Sequence, residues 1–230
     1  MDFITWNTFY KKIVADFNFS EKEDKQSAAI LNKLLKNTHT SIDKLENLLN
    51  GKEVYVFGAA PSLESTIHKH KNRFAESVII TADGSTSALM EHDIVPNVIV
   101  TDLDGNIRDQ QQANSDGSLV IIHAHGDNIE QIKKEVSNFK GDIIGTTQTD
   151  PRFYDDLYNF GGFTDGDRAV FLADHFNAKN IWLLGFDFTD KIGRYSFAEH
   201  KNKEVKLKKL QWCKHLVDML QKDNPNIHYL

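Results

Sequence analysis

The feature that most constrains this chain is an alternation repeated between residues 53 and 188. Six short apolar runs, EVYVFG, SVIITAD, NVIVTDLD, SLVIIHAHGD, GDIIGTTQ and NIWLLGFDF, recur there, most of them separated by helix-length segments. Each run is too short for a buried helix, and most are rich in β-branched residues, so they read as strands. A strand with one wet face alternates apolar and polar residues. These runs are apolar at consecutive positions and need cover on both faces. The economical architecture is therefore α/β: a Rossmann-like, mostly parallel sheet with helices on both faces. No internal repeat or low-complexity segment interrupts it.

Residues 1–51 carry helix-type patterns and no strand-like run, and they read as an amino-terminal helical appendage to a main domain spanning 52–230. Ser20 and Glu23 have capping-box spacing, and Ile30, Leu31, Leu34 and Leu35 follow as an apolar stripe. A second stripe runs through Ile42, Leu45, Leu48 and Leu49 and stops at Asn50-Gly51, two residues that tolerate left-handed backbone angles. Trp6, Phe9 and Phe17 sit near amphipathic positions, suited to covering a sheet edge or to a subunit contact, so a homo-oligomer stays open. At the other end, Leu207, Leu210, Leu216 and Leu220 mark a carboxyl-terminal helix.

A chain of 230 residues is long enough for one substantial core. Its net charge of −6 opposes loose association with nucleic acid or anionic membrane, so a polyanionic ligand needs cations supplied locally. No apolar stretch approaches the roughly 18 residues that span a bilayer, and MDFITWNTFYKK lacks the layout of a signal peptide, so a cytoplasmic location is expected. Cys213 is the one cysteine, which excludes an intrachain disulfide and a cysteine-rich zinc site.

Five of the six runs end in small or polar residues: Gly58, Asp83, Asp102 with Asp104, His123 with His125 and Asp127, and Asp187. In open parallel sheets ligands bind at the carboxyl ends of strands, near the point where strand order reverses, so these residues should converge on one cleft. The turn FGAAPSLES offers Gly58, Ala59 and Ala60, with little bulk, then Pro61 and Ser62 at a helix start whose free amides attract phosphate. It lacks GxGxxG and GK[ST], and an ordinary strand-to-helix turn would look much the same.

Asp102 and Asp104 stand two apart where a strand ends, and on an extended strand residues i and i+2 share a side about 6–7 Å apart. Both then face one cleft with Asp83 nearby, and magnesium suits such a set because it takes oxygen ligands and commonly one or two carboxylates plus substrate phosphates. The competing use of these aspartates is to cap the helices that follow. His123, His125 and Asp127 invite a zinc reading, but an imidazole equally hydrogen-bonds a phosphate or a heterocycle edge, and Asp127 or Asn128 would cap the next helix. GGFTDGDRA opens another helix, with glycines permitting a close backbone approach and Arg168 able to clamp an anion, while Asp165 and Asp167 read equally as caps of that helix. Residues 189–209 hold seven cations, among them Lys191, Arg194, Lys201, Lys206, Lys208 and Lys209, that form either a solvated face or a lid over phosphates.

Taken in order, GAAPSL, ITADGS, VPNVIVTDLDGN, IIHAHGDN, GGFTDGDRA and LLGFDF resemble the archaeal-type 6-hydroxymethyl-7,8-dihydropterin pyrophosphokinases, the MptE-like family, over roughly residues 53–190. The same segments are more distantly similar to thiamin pyrophosphokinases, but GGFTDGDRA departs from their pattern and a helix replaces their β-rich carboxyl-terminal domain. The resemblance implies magnesium-dependent transfer of diphosphate from ATP to a reduced pterin, with release of AMP. It implies Asp83, Asp102 and Asp104 as catalytic metal ligands, Gly58, Ala59, Ala60, Pro61, Ser62 and Arg168 on ATP and its phosphates, and His123, His125, Asp127, Asn128, Thr164, Asp165 and Asp167 in the substrate pocket. Thiamin pyrophosphokinase, a nucleotide-sensing module on the same sheet, and glycosyl transfer from a sugar nucleotide are the alternatives.

Overall fold

The computed structural model describes residues 1–36, 40–196 and 202–230. All six runs form strands: β1 (Glu53–Phe57), β2 (Val78–Ala82), β3 (Val98–Thr101), β4 (Leu119–Ala124), β5 (Ile143–Thr147) and β7 (Asn180–Leu184). Two more, β6 (Leu157–Tyr158) and β8 (Ile227–Tyr229), are too short to show a period in sequence and sit at the sheet's two edges. The order is β6-β5-β4-β3-β2-β1-β7-β8, with every pair parallel. The expected mostly parallel α/β sheet is thus parallel throughout.

Consecutive strand residues point to opposite faces, and two cores result. Val54, Val56, Val98, Val100, Ile181 and Leu183 face one side, where they pack with α8 (Asp165–His175) and α9 (Lys203–Asp223). Their neighbours face the other. Tyr55, Phe57 and Ile79 meet α4 (Leu63–His70) and α5 (Ser85–Met90), while Ile99, Val120, Ile122 and Ile143 meet α6 (Ile107–Ser115) and α7 (Ile129–Glu135).

The amino-terminal helices share both cores with the sheet. On α1 (Phe3–Phe17), Trp6, Tyr10 and Ile13 join the first cluster together with Leu45 and Leu49 of α3 (Asp43–Leu49), and Trp6 Nε1 donates to the Gln148 carbonyl at 2.9 Å. On α2 (Glu21–Leu35), Ala28, Leu31 and Leu35 join the opposite one. Ser20 caps α2 by accepting from Glu23 N–H at 3.2 Å; past α3, Asn50 is extended and Gly51 turns left-handed at φ 70°. Among the described residues no helix is long and apolar enough to cross a membrane.

From β1 the strands step one way to β6, and β7 then lies on the far side of β1. α8 makes that return, packing across β1, β2 and β3 with Ala169 to Ala173 buried. Its amino-terminal end therefore meets the carboxyl ends of the central strands.

Candidate active site

A cavity of about 690 Å³ opens over the carboxyl ends of the strands, within the roughly 300–1,000 Å³ typical of small-molecule sites. On its floor, oxygens of Asp83, Asp102 and Asp165 all lie within 4.8 Å of one another. The three come from β2, β3 and the first turn of α8, so parallel strand ends and one returning helix assemble them.

Each carboxylate is held differently. Asp83 Oδ1 accepts from Thr101 Oγ1 at 2.7 Å and Gln110 Nε2 at 2.8 Å. Burial, then repulsion from Asp104 and Asp102, pushes the Asp83 carboxyl up to about 8. Asp102 Oδ2 accepts from His125 Nε2 at 3.2 Å, while its Oδ1 is buried without a hydrogen-bond partner. Burial pushes the Asp102 carboxyl up, but the hydrogen bond and charge of His125, with Arg168 and Lys209 beyond, outweigh it and hold the group below the usual carboxylate range. Asp165 goes the other way: burial first and the neighbouring Asp102 next raise it well above its ordinary value, although Arg168 lies 3.1 Å away. Converging carboxylates with unequal proton affinities and an oxygen lacking a donor form an arrangement that a cation relieves.

A network reaches this floor from α2. Asn128 Nδ2 donates to the carbonyls of Asp102 (2.8 Å) and His123 (2.7 Å), and its Oδ1 accepts from Ser27 Oγ and His125 N–H, both at 3.1 Å. Asp24, 2 % exposed, accepts from Gly126 N–H at 2.8 Å and from the Tyr10 hydroxyl at 2.6 Å. The Asp127 amide donates to His125 Nδ1 at 3.3 Å, which leaves Nε2–H to donate to Asp102. The loop after β4 thus fixes the imidazole that fixes the carboxylate.

The backbone separates Asp102 from Asp104. β3 ends at Thr101, and Leu103 takes φ 67°, so the i and i+2 geometry of an extended strand no longer applies. Asp102 turns down to Asp83 and Asp165; Asp104 lines the cavity but is exposed, close enough to repel Asp83. Gly105 is required beside them, because a Cβ there would lie 2.4 Å from Asp83 Oδ2.

The other expected residues fall into groups. Gly58, Ala59, Ala60, His125, Asp127, Asn128, Thr164 and Arg168 line the cavity. Gly58 is small because the turns that follow the neighbouring strands β1 and β7 lie against each other, a Cβ there falling 2.7 Å from the Gly185 carbonyl oxygen. Pro61 and Ser62 lie at the turn behind, and the anion at this helix start is Asp187, which accepts from Ser62 N–H at 3.0 Å and from Ser62 Oγ. Asp167 is fully buried as a cap: it accepts from the amides of Phe163 (2.6 Å) and Thr164 (2.8 Å) and from Thr164 Oγ1. His123 sits below the floor, its Nδ1 3.0 Å from Thr146 Oγ1, beside a separate void of about 10 Å³. Of the basic segment, Lys191, Lys206 and Lys209 line the cavity, and Lys201 lies outside the described residues.

Sequence reasoning missed Asp165 as the third oxygen donor, since a first-turn aspartate reads as a cap. It missed Thr101 and Gln110, which support Asp83, and the stretch Asn18–Asp24, which lines the cavity from the amino-terminal helices. Only the GGFTDGDRA pattern hinted at Asp165.

The chain was compared with known proteins. A family model described as "6-hydroxymethylpterin diphosphokinase MptE-like" matches residues 28–193. Three curated proteins named 6-hydroxymethyl-7,8-dihydropterin pyrophosphokinase are similar over nearly the full length. That of Methanocaldococcus jannaschii is 42% identical over 100% of both chains. That of Pyrococcus furiosus is 43% identical over 94% of this chain and 93% of its own. That of Methanothermobacter thermautotrophicus is 38% identical over 97% of each. Among solved structures, the MAf glycosyltransferase of Magnetospirillum magneticum AMB-1 shares the fold at a TM-score of 0.51 and 14% identity; the match covers 75% of this chain and 28% of that one.

Proposed function

This chain belongs to the MptE-like family of 6-hydroxymethylpterin diphosphokinases, and from that premise we propose how its cavity transfers a diphosphate onto 6-hydroxymethyl-7,8-dihydropterin. ATP is the donor. The hydroxymethyl oxygen attacks the β-phosphorus, the bond from that phosphorus to the α,β-bridging oxygen breaks, AMP leaves with that oxygen, and the alcohol proton is released. Little covalent chemistry falls to the protein, so positioning and charge carry the reaction.

The observation that carries this reading is the floor triad, with its unpartnered Asp102 Oδ1. An all-oxygen donor set fits magnesium better than zinc, and Asp83, Asp102 and Asp165 would hold it. When bound, magnesium supplies positive charge that offsets the phosphate oxygens around the reacting phosphorus. Arg168, with 8% of its side chain exposed and NH1 on Asp165, presents a further cation to the cavity. His125 keeps Asp102 ionised and oriented. The helix start at Thr164 is held by Asp167, which sets where Asp165 points. The glycine and alanines after β1 leave room for a phosphate chain or a flat ring.

The test is direct. Purified protein is incubated with ATP, magnesium and either the reduced pterin or thiamin, and AMP is followed by phosphorus NMR. AMP formation with the pterin alone is expected. AMP with thiamin alone, or ATP binding with no AMP for either acceptor, would overturn the reading.

A further inference from the structure

Among the described residues, four cations line the cavity: Arg168, Lys191, Lys206 and Lys209. Arg168 is engaged by Asp165, Lys206 Nζ donates to the Ser196 carbonyl, and Lys191 is exposed at the rim. Lys208, the preceding residue on α9, turns away to Asp16, 2.7 Å from its carboxylate. Lys209 differs from all of these. Its Nζ lies 5.7 Å from the ring centre of Phe19 and 5.9 Å from that of Phe163, and among the described residues no carboxylate pairs with it.

That difference has a physical meaning. A carboxylate partner both fixes an ammonium and cancels its charge, whereas aromatic faces fix it through their quadrupoles and leave the charge available. Lys209 is therefore a positioned, uncancelled cation on the wall of a cavity whose floor is acidic. It is near enough for its charge to contribute to the lowered Asp102 carboxyl. In a chain of net charge −6, such an arrangement suits a polyanion that arrives with its own counter-cation.

We propose that Lys209 contacts the phosphate chain of the nucleotide, held in place by Phe19 from the link between α1 and α2 and by Phe163 from the approach to α8. The proposal rests on the ATP reading given above. It makes the amino-terminal segment part of the nucleotide site, and it singles out one lysine of the 189–209 cluster on the grounds of its surroundings.

Lys209→Met, Lys209→Arg, Phe19→Leu and, as a control outside the cavity, Lys208→Met are compared by ATP-dependent AMP formation at saturating pterin. Equilibrium binding of a fluorescent ATP analogue and the melting shift caused by magnesium alone are measured alongside. Lys209→Met should lower kcat/KM for ATP and weaken analogue binding by about 10- to 100-fold, the loss of one charge-assisted hydrogen bond. Lys209→Arg should recover much of it, Phe19→Leu should raise the KM for ATP, and Lys208→Met should match wild type. The magnesium shift should be unchanged throughout, because Lys209 holds no metal. Lys209→Met or, if it does not fold, Phe19→Leu with kinetics and analogue affinity within about twofold of wild type refutes the assignment. Wild-type protein that binds the analogue yet forms no AMP refutes the functional reading instead, and the binding arm still decides the lysine.

Discussion

Replacing Asp83 by asparagine isolates the electrostatics of the cavity floor. The side chain keeps its shape, and its oxygen can still accept from Thr101 and Gln110. The backbone at residue 83 has φ 41°, a region asparagine tolerates well, so no strain is added. What disappears is a carboxyl that must either hold a proton or place a negative charge among oxygens no more than 4.8 Å apart. At an effective dielectric of about 20, two such charges repel by roughly 3 kcal/mol. The proton affinity, raised by burial first and by repulsion second, gives a figure of the same order. With a carboxyl at about 8 in the folded protein and about 3.9 unfolded, the folded state binds the extra proton between those values. Stability without metal then falls as pH rises through that window and levels off above it, by about 4 kcal/mol at pH 7. In a chelator, Asp83→Asn should therefore melt about 5–10 °C higher than wild type at pH 7, taking 2–4 kcal/mol of relief. The gap should widen from pH 5 to pH 8. Magnesium should stabilise wild type most at pH 8 and leave the variant nearly unmoved. Differential scanning fluorimetry across pH, with and without magnesium, measures all of this. A variant no more stable than wild type in chelator, or a gap that does not grow with pH, would show that ionising Asp83 on the buried floor costs nothing and would remove the basis for the metal site.

Other perturbations separate the parts of the site. Asp165→Asn should reduce turnover by at least about 100-fold, the scale of losing a group that organises charge at the transition state. Asp104→Asn, on the exposed rim, should stay within roughly tenfold; a loss as large as that of Asp165→Asn in steady-state assays would make Asp104 a metal ligand, as the resemblance implies. Gly105→Ala should push the Asp83 carboxylate aside and abolish the magnesium-dependent melting shift while the far-ultraviolet circular dichroism stays native. Asn128→Ala, which strips four hydrogen bonds linking α2, His125 and the Asp102 backbone, should destabilise the fold by about 2–4 kcal/mol. A chemical denaturation midpoint unchanged from wild type would contradict that network.

The runs of consecutive apolar residues were legible in sequence because a strand buried on both faces has no polar positions to spare. From that signal came the parallel sheet and its two layers of helices, and the polar ends of the runs gave the expectation that Gly58, Asp83, Asp102, Asp104, His123, His125, Asp127 and Asp187 would meet at one cleft, which all but His123 line. The motifs from GAAPSL to LLGFDF carried the family, since six weak patterns in fixed order are specific together. Edge strands β6 and β8 were not legible, because two or three residues have no period.

The partner of Asp102 was decided by tertiary structure. Strand spacing put Asp104 beside it, but a left-handed Leu103 ended the extended backbone, and Asp165 arrived from the far end of the chain when α8 crossed back over β1 to β3. Likewise, helices 1–51 have an ordinary amphipathic pattern, and only packing shows that Asp24 and Phe19 reach the cavity. Local sequence fixes the direction in which a strand end presents its side chains. Which distant helix start it meets, and so which carboxylates lie together, depends on the path of the chain in space.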